Sequence, residues 1–571
     1  MTYFSLRKQW YTAVFLGICL FHSVCALVTI TNLSDFQVLQ RTTPATADFA
    51  VAGVCNNVIG SHIQVRIVDQ ITGAVVQGFN WVGVDTAISA LNWKGMVRKL
   101  PVGGEYALQV RQIHNGTIVE NGATTISHVL VGDLWGAAGQ SNMQGCGRLD
   151  LGDPPLDQVH VITADKGWAK AVEPISGWGR GPTFPFALSL YTETKIPIGL
   201  VYYAKGATST DYWQKDSLGF FYWTSVIQAA GGKLKGVIWY QGESNSTEIK
   251  KALRYKKMTQ TFMADIRNYV KNDSLPWILA QIATMFDGNN YDSGTMVVRE
   301  AQREIGIEDR FAQAITTIDL KRGDPYHFDT PQYQVIGRRF AEAALTMVYG
   351  IKSPMGPRFQ NAFFLDTGRT TLFVSCTEAS GRMVFTSGAN WLFAVHNQTL
   401  FYPTASSTYG KASIIAHFDQ PLSSDAVLGF GYGQNPVECA LTDSSGIPLQ
   451  PFYNQSIATQ GDTSQAIIPD NNKKANIVGP GLQAMEIRIL ENPFGLYAIA
   501  LLSFPPVKNS SARLSLFSIG GIPVLNIPLI PGQNRCTISK RFLPAGCYVV
   551  RVTDGNACGA KKLFWRFGSR T

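Results

Sequence analysis

Four short motifs carry residue types that together could perform acyl transfer. Gly139-Gln140-Ser141-Asn142-Met143 follows an apolar run ending at Ala138 and opens a predicted helix. A serine there sits where backbone N–H groups and the helix dipole favour negative charge, which suits a nucleophile and its oxyanion. Serine is also a common helix N-cap, so position alone does not separate the two roles. Asp324-Pro325-Tyr326-His327 follows the last predicted strand and precedes a helix. Asp and His three apart on a turn can meet, the carboxylate fixing one ring nitrogen and leaving the other as a base. A base of this kind predicts an activity limb at roughly pH 6 to 7. A plain surface turn rich in Asp and Pro would look the same. Trp239-Tyr240-Gln241-Gly242-Glu243-Ser244-Asn245 offers the Gln241 amide as an oxyanion donor. Ala204-Lys205-Gly206-Ala207-Thr208 offers a glycine whose N–H can approach a ligand. Each motif alone is modest. All four follow predicted strands of one sheet, which points to a single site.

The elements that must position them alternate in kind. Residues 129–350 carry apolar runs at Val129–Val131 and Leu134–Ala138, Ile196–Tyr203, Gly236–Tyr240, Trp277–Ile282 and Ala314–Ile318. Between them lie amphipathic stretches, one from Glu248 to Val270 with Met258, Phe262, Ile266 and Val270 at four-residue spacing, another from Gln332 to Tyr349. Buried runs alternating with helices predict an α/β fold, a parallel sheet with helices on both faces. In such sheets the site lies beyond the carboxyl ends of the strands. Residues 27–128 read as a β-domain, through short alternating runs such as Ile63–Val68 and Tyr106–Val110. Residues 351–456 return to β patterning beside the catalytic region, and 457–571 form a further C-terminal β-domain.

Composition sets the outer limits. With 571 residues, 45% hydrophobic and 16% charged, the chain has material for several packed domains. Its net charge of +9 is spread without a Lys/Arg block, so no nucleic-acid partner is expected. Arg7 and Lys8, the apolar Thr12–Phe21 and Val24-Cys25-Ala26 form a leader predicted to be cleaved after Ala26, which makes the protein secreted or cell-surface/periplasmic. No later segment is apolar and long enough to span a bilayer. The nine cysteines less Cys19 and Cys25 leave seven, an odd number, with no CxxC pair and no Cys/His spacing for a metal. Neither a metal nor another cofactor is expected. The last three cysteines are candidates for one disulfide, and the sequence sets no oligomeric state.

Taken with their order, the motifs resemble the SGNH-hydrolase superfamily, specifically the group of sialate O-acetylesterases and acetyl xylan esterases (carbohydrate esterase family six and relatives). Gly132-Asp133-Leu134-Trp135 leading into Gly139–Met143 resembles the nucleophile block. Lys205–Thr208 with Trp213 resembles the second block, with Ala207 where the family usually has another glycine. Trp239–Asn245 resembles the third, and Arg299-Glu300-Ala301-Gln302 a further segment. Asp324 and His327, followed by Gly337-Arg338-Arg339, resemble the last. Outside this region, Phe36–Arg41 and Tyr432–Pro436 are similar to flanking segments of the same proteins. Ile519–Val524 and Leu543–Gly555 resemble the β-sandwich sorting or attachment domains that end many secreted bacterial proteins.

The resemblance implies a flavodoxin-like parallel sheet flanked by β-sandwich domains. It implies a serine esterase acting on acetylated carbohydrate, with Ser141, Asp324 and His327 as triad. Ser141 N–H, Gly206 N–H and the Gln241 amide would form the oxyanion hole, with Gln140, Asn142, Glu243 and Arg299 supporting the site. Alternative readings are an acetyl xylan esterase acting on plant polysaccharide, a lipase-like SGNH enzyme and an inactive carbohydrate-binding protein.

Overall fold

A computed structural model describes residues 28–458, apart from 86–90, 287, 386–391, 435 and 437–440, and the strands within 486–565. The chain divides into two units, Met1–Gln465 and Ala466–Thr571. The predicted leader lies outside the described residues.

The catalytic layer of the first unit follows the predicted alternation. Its strands and helices, in chain order, are β1 (Thr117–Gly139), α1 (Ser141–Gln144), β2 (Val159–Thr163), β3 (Gly167–Lys170), α2 (Thr183–Thr194), β4 (Ile198–Ala204) and α3 (Leu218–Ala229). Then come β5 (Gly236–Tyr240), α4 (Glu243–Ser246), α5 (Ile249–Tyr269), β6 (Trp277–Ala280), α6 (Asp292–Glu308), β7 (Ala312–Ile315) and α7 (Thr330–Ala344). The sheet runs β3-β2-β4-β1-β5-β6-β7. All pairs are parallel except the β2–β3 hairpin. Without that hairpin the order is 2-1-3-4-5, which reverses direction at β1 and so opens a crevice beside its carboxyl end.

Strand side chains alternate strictly between two cores. Trp135, Ala137, Ile238, Tyr240 and Ile278 meet Phe184, Phe186 and Leu190 of α2 and Tyr333, Ile336 and Phe340 of α7 on one face. Leu134, Ala138, Val237, Trp239 and Trp277 meet Trp223 and Ile227 of α3 and Phe262, Met263 and Ile266 of α5 on the other. Period two on the strands thus puts helices on both faces. In α5 the buried set is Ala252, Tyr255, Thr259, Phe262, Met263 and Ile266, the stripe a one-faced helix needs. Helix α7 starts where Asp329 caps the N–H of Gln332 and Pro331 enters the first turn.

The sheet is mixed rather than purely parallel. Strand β1 is 23 residues long, and its first half pairs antiparallel with Gly103–His114, which continues to His62–Asp69. One 11-stranded sheet therefore runs through both the N-terminal β region and the catalytic layer, and the expected change of character at residue 129 falls inside a strand. Antiparallel alternation and buried parallel runs look like separate elements in sequence, though one strand carries both. A second sheet of Thr29–Ile30, Thr46–Val54 and Asn92–Pro101 covers the N-terminal half around Val51, Val65, Trp93 and Leu108. Residues 358–456 add two four-stranded antiparallel sheets and a two-stranded one around Leu372, Val374, Leu428 and Phe430. The second unit contains a three-stranded and a four-stranded antiparallel sheet, with Leu514 and Leu516 buried. The Ile519–Val524 and Leu543–Gly555 motifs lie partly outside the described residues. So do the side chains of the last three cysteines, while Cys146 and Cys376 are free thiols.

One buried charge pair fastens the segment after Val38–Gln40 to β1. Asp133 is fully buried and accepts from Arg41 Nε (2.8 Å) and Nη2 (2.9 Å), Gln40 Nε2 (2.9 Å) and Tyr349 OH (2.8 Å). Arg41 follows Val38–Gln40, a strand laid parallel to Leu130–Gly132. Removing one member of such a pair leaves the other charge buried and uncompensated. Asp133→Ala should destabilise the first unit by roughly 3–5 kcal/mol, read from the urea midpoint of tryptophan fluorescence. A loss below about 1 kcal/mol, the value of an exposed pair, would show that Arg41 relaxes into solvent.

Candidate active site

Three strand ends lie level. In the parallel registers Gly139 pairs with both Ala204 and Tyr240, the last residues of β4 and β5. Gly139 has φ of +151°, and a Cβ added there would lie 2.1 Å from the Tyr240 carbonyl oxygen. Only glycine fits this turn. Gln140 N–H then donates to that same carbonyl (2.9 Å), and Ser141 begins α1. The predicted helix is a single turn, which still presents N–H groups without intrahelical partners.

From β4, Gly206 comes close to Ser141: a Cβ built on it would be 3.6 Å from Ser141 Cβ. Its N–H donates to Gln144 Oε1 (2.9 Å), so this potential oxyanion donor is occupied in the unliganded site. From β5, Gln241 is fully buried. Its Nε2 donates to Asn245 Oδ1 (2.8 Å), Thr208 O (3.0 Å) and Gln140 Oε1 (3.2 Å). Its amide hydrogens face these three acceptors. Gln241 braces the loops behind the site, because a buried amide is held by the acceptors that surround it.

The Asp324–His327 turn has the predicted contact. His327 Nδ1 and Asp324 Oδ2 are 2.8 Å apart. Asp324 Oδ1 also accepts the N–H groups of Tyr326 (2.7 Å) and His327 (2.8 Å). Partial burial alone would raise this carboxyl, but the hydrogen bonds from Tyr326 and His327 hold it below its ordinary range. Ser141, Cys146, Gly206 and His327 line one cleft of about 690 Å³.

His327 departs from the expected base. The neighbouring Cys146 side chain first, and then Asp324, outweigh burial and push its pKa up to about 9. Among the described residues Ser141 Oγ makes no hydrogen bond to His327; the imidazole's hydrogen-bond partner is Asp324. Catalytic hydrogen bonds of unliganded sites often tighten only with substrate bound. Cys146 lies five residues past Ser141, and nothing in its spacing signals that the one-turn helix folds it back into the cleft.

The supporting residues hold this arrangement in different ways. Asn142 Nδ2 donates to Glu243 Oε1 (2.6 Å) and to Tyr326 O (3.1 Å), and its Oδ1 accepts from Tyr333 OH (2.8 Å). One buried amide thus ties α1 to α4, α7 and the histidine loop. Burial raises the Glu243 carboxyl despite the Asn142 bond. Gln140 Oε1 accepts the N–H groups of Gly242 and Ser244 (both 3.3 Å). Arg299 does not reach the cleft. It is buried and donates to Ile282 O (2.9 Å), Ala283 O (2.6 Å) and Gly433 O (2.7 Å), pinning the loop after β6 to the β-rich segment. Sequence reading missed Gln144, Trp178 and Lys251, which also line the cleft; Gln144 closes the one-turn α1, while long-range contacts bring Trp178 and Lys251 there. Among the described residues no group of three or more His, Cys, Asp or Glu side chains could hold a metal.

Residues 131–346 match the family model described as carbohydrate esterase, sialic acid-specific acetylesterase. A probable carbohydrate esterase of Arabidopsis thaliana is 29% identical over 205 residues, which is 34% of this chain and 76% of that protein. A solved structure described as a novel carbohydrate acetylesterase from Xanthomonas citri covers 75% of this chain and 99% of its own, with a TM-score of 0.58 and 22% identity, a likeness of fold. The fold and these matches define a carboxylic ester hydrolase. Its segment 131–346 is similar to the sialic acid-specific acetylesterases among carbohydrate esterases.

The raised His327 has a direct test. Diethyl pyrocarbonate attacks only neutral imidazole, so carbethoxylation of His327, followed by mass spectrometry, should rise with pH toward about 9. In Cys146→Ala the main cause of the rise is gone, and the midpoint should fall toward the ordinary value of about 6.5. An unchanged midpoint would remove Cys146 from this role.

Proposed function

We propose that the chain is a secreted serine carbohydrate esterase that removes O-acetyl groups from sugars through a Ser-His-Asp acyl-enzyme, on an SGNH-type doubly wound fold. One observation carries the reading: a single cleft holds Ser141, Gly206 and an imidazole fixed on Asp324 at 2.8 Å. Secretion rests on the leader-like residues 1–26. No helix among the described residues is long and apolar enough to cross a membrane.

In the proposed cycle His327 turns from Cys146 to Ser141 and takes its hydroxyl proton as Oγ bonds to the acetyl carbon. Asp324 holds the imidazolium that results. Ser141 N–H and Gly206 N–H stabilise the oxyanion once the Gln144 amide gives way. The carbon–sugar oxygen bond breaks, and the sugar oxygen leaves with the proton from His327. Water then adds to the acyl-enzyme, delivering its own proton to His327, and acetate departs as Ser141 recovers its hydrogen. The base acts only when neutral, so a histidine raised to about 9 moves the activity limb to alkaline pH, above the 6 to 7 expected from sequence.

Ser141→Ala should abolish acetate release while leaving the fold unchanged. Among 4-nitrophenyl esters, kcat/KM should be highest for acetate and close to zero for octanoate, because a small polar acyl site gains nothing from added methylenes. A lipase would gain up to about 0.8 kcal/mol per CH₂ buried. A rise with chain length would replace the deacetylase reading with a lipase one. Full activity in Ser141→Ala would remove the nucleophile assignment.

A further inference from the structure

Beyond Lys205 the cleft has a neighbour. A second cavity of about 330 Å³ shares two wall residues with it, Gln144 and Lys205. The volume is at the low end for small-molecule sites, about 300–1,000 Å³, and suits one sugar ring. Its wall offers two kinds of surface. Tyr203 and Tyr222 present rings whose centroids are 5.7 Å apart, and Tyr203 OH is held by Tyr212 OH at 2.6 Å. Opposite chemistry comes from the exposed Asp165 carboxylate and from Thr163. Thr163 is 8% exposed, and its Oγ1 has no hydrogen-bond partner. Aromatic faces for C–H surface, with hydroxyl and carboxylate groups for O–H, are the complement of a pyranose. Asp165 and Lys205 put one charge of each sign on the wall, so it carries no net charge of its own.

The cavity is built rather than incidental. Ile175 and Ser176 line it, while Trp178, two residues on, is 76% exposed and lines the cleft. The loop that carries all three is clamped. Ser176 Oγ donates to Gln144 O (2.9 Å), Arg180 Nη1 pairs with Glu173 (3.1 Å), and Arg180 and Gly147 exchange backbone hydrogen bonds. One rigid wall therefore serves both spaces.

We propose that this cavity is a second saccharide subsite, so that the esterase deacetylates a sugar inside an oligo- or polysaccharide whose neutral neighbouring residue lies against Tyr203 and Tyr222. The proposal rests on the carbohydrate-esterase reading, and its test separates the two. The probes are mono-acetylated xylo-, cello- and galacto-oligosaccharides of one to four residues, with 4-nitrophenyl acetate as a substrate that cannot reach the cavity. Calorimetry with the same saccharides lacking acetate reads the subsite independently of hydrolysis. In at least one series kcat/KM should rise about tenfold from one residue to two, the worth of one or two good contacts. Tyr222→Ala and Asp165→Asn should each remove much of that rise and weaken binding of the non-acetylated disaccharide. Both should leave 4-nitrophenyl acetate hydrolysis unchanged. Equal kcat/KM for one and two residues in every series overturns the subsite, as does a disaccharide affinity that neither variant alters. Loss of 4-nitrophenyl acetate hydrolysis in Tyr222→Ala does so too, since the residue then acts on the chemistry. A wild-type protein that binds disaccharide through Tyr222 yet hydrolyses no ester keeps the subsite and overturns the esterase.

Discussion

The site depends on how closely the backbone of Gly139 lies against the carbonyl of Tyr240. That approach, too tight for any Cβ, lets β1 end level with β4 and β5 and turn at once into α1. Three loops then leave three strands at the same height. Ser141, Gly206 and Gln241 become neighbours although 65 and then 35 positions separate each from the next. The crevice at a reversal of strand order is a general property of doubly wound sheets. Here the glycine turn decides what the crevice contains.

Buried polar groups fix the rest. Gln140, Gln241 and Asn245 bond one another, and Asn142 bonds Glu243 and the Tyr326 carbonyl, so the strand ends are tied together through side-chain amides. Behind them Gln302 Nε2 and Tyr255 OH both donate to Gln241 O, at 2.9 and 2.8 Å. Such a network is costly if any member is lost, and it specifies one geometry when complete. This explains why Gln241 sits where a reader of sequence expects an oxyanion donor. The loop past β5 must be braced before anything can stand in front of it.

Much of this was legible in the sequence, and the reasons are local. The runs at 134–138, 236–240 and 277–280 are strands because apolar side chains on both faces mark a sheet covered twice. The α5 stripe and the cap of α7 are equally short-range signals. The 23-residue β1 was not legible, since its two halves obey different patterns for different neighbours. Nor was the pairing of Arg41 with Asp133, 92 residues apart, although both residues stood in segments singled out for their resemblance. The role of Arg299 as a pin to Gly433 is set 134 residues away and leaves no periodic trace.

The candidate triad divides along the same line. Asp324 and His327 are three residues apart, and one carboxylate oxygen closes the turn on the N–H groups of Tyr326 and His327 while the other takes the ring nitrogen. That pair is a local unit and forms wherever the loop folds. The contact between Ser141 and His327 spans 186 positions and depends on which cleft residue the imidazole meets. Cys146, from the end of the nucleophile's own turn, lines the same cleft and, with Asp324, raises the histidine. Spacing in a sequence reports the part of an active site that folds by itself. The competition between Cys146 and Ser141 for one imidazole is a property of the assembled cleft, and no motif records it.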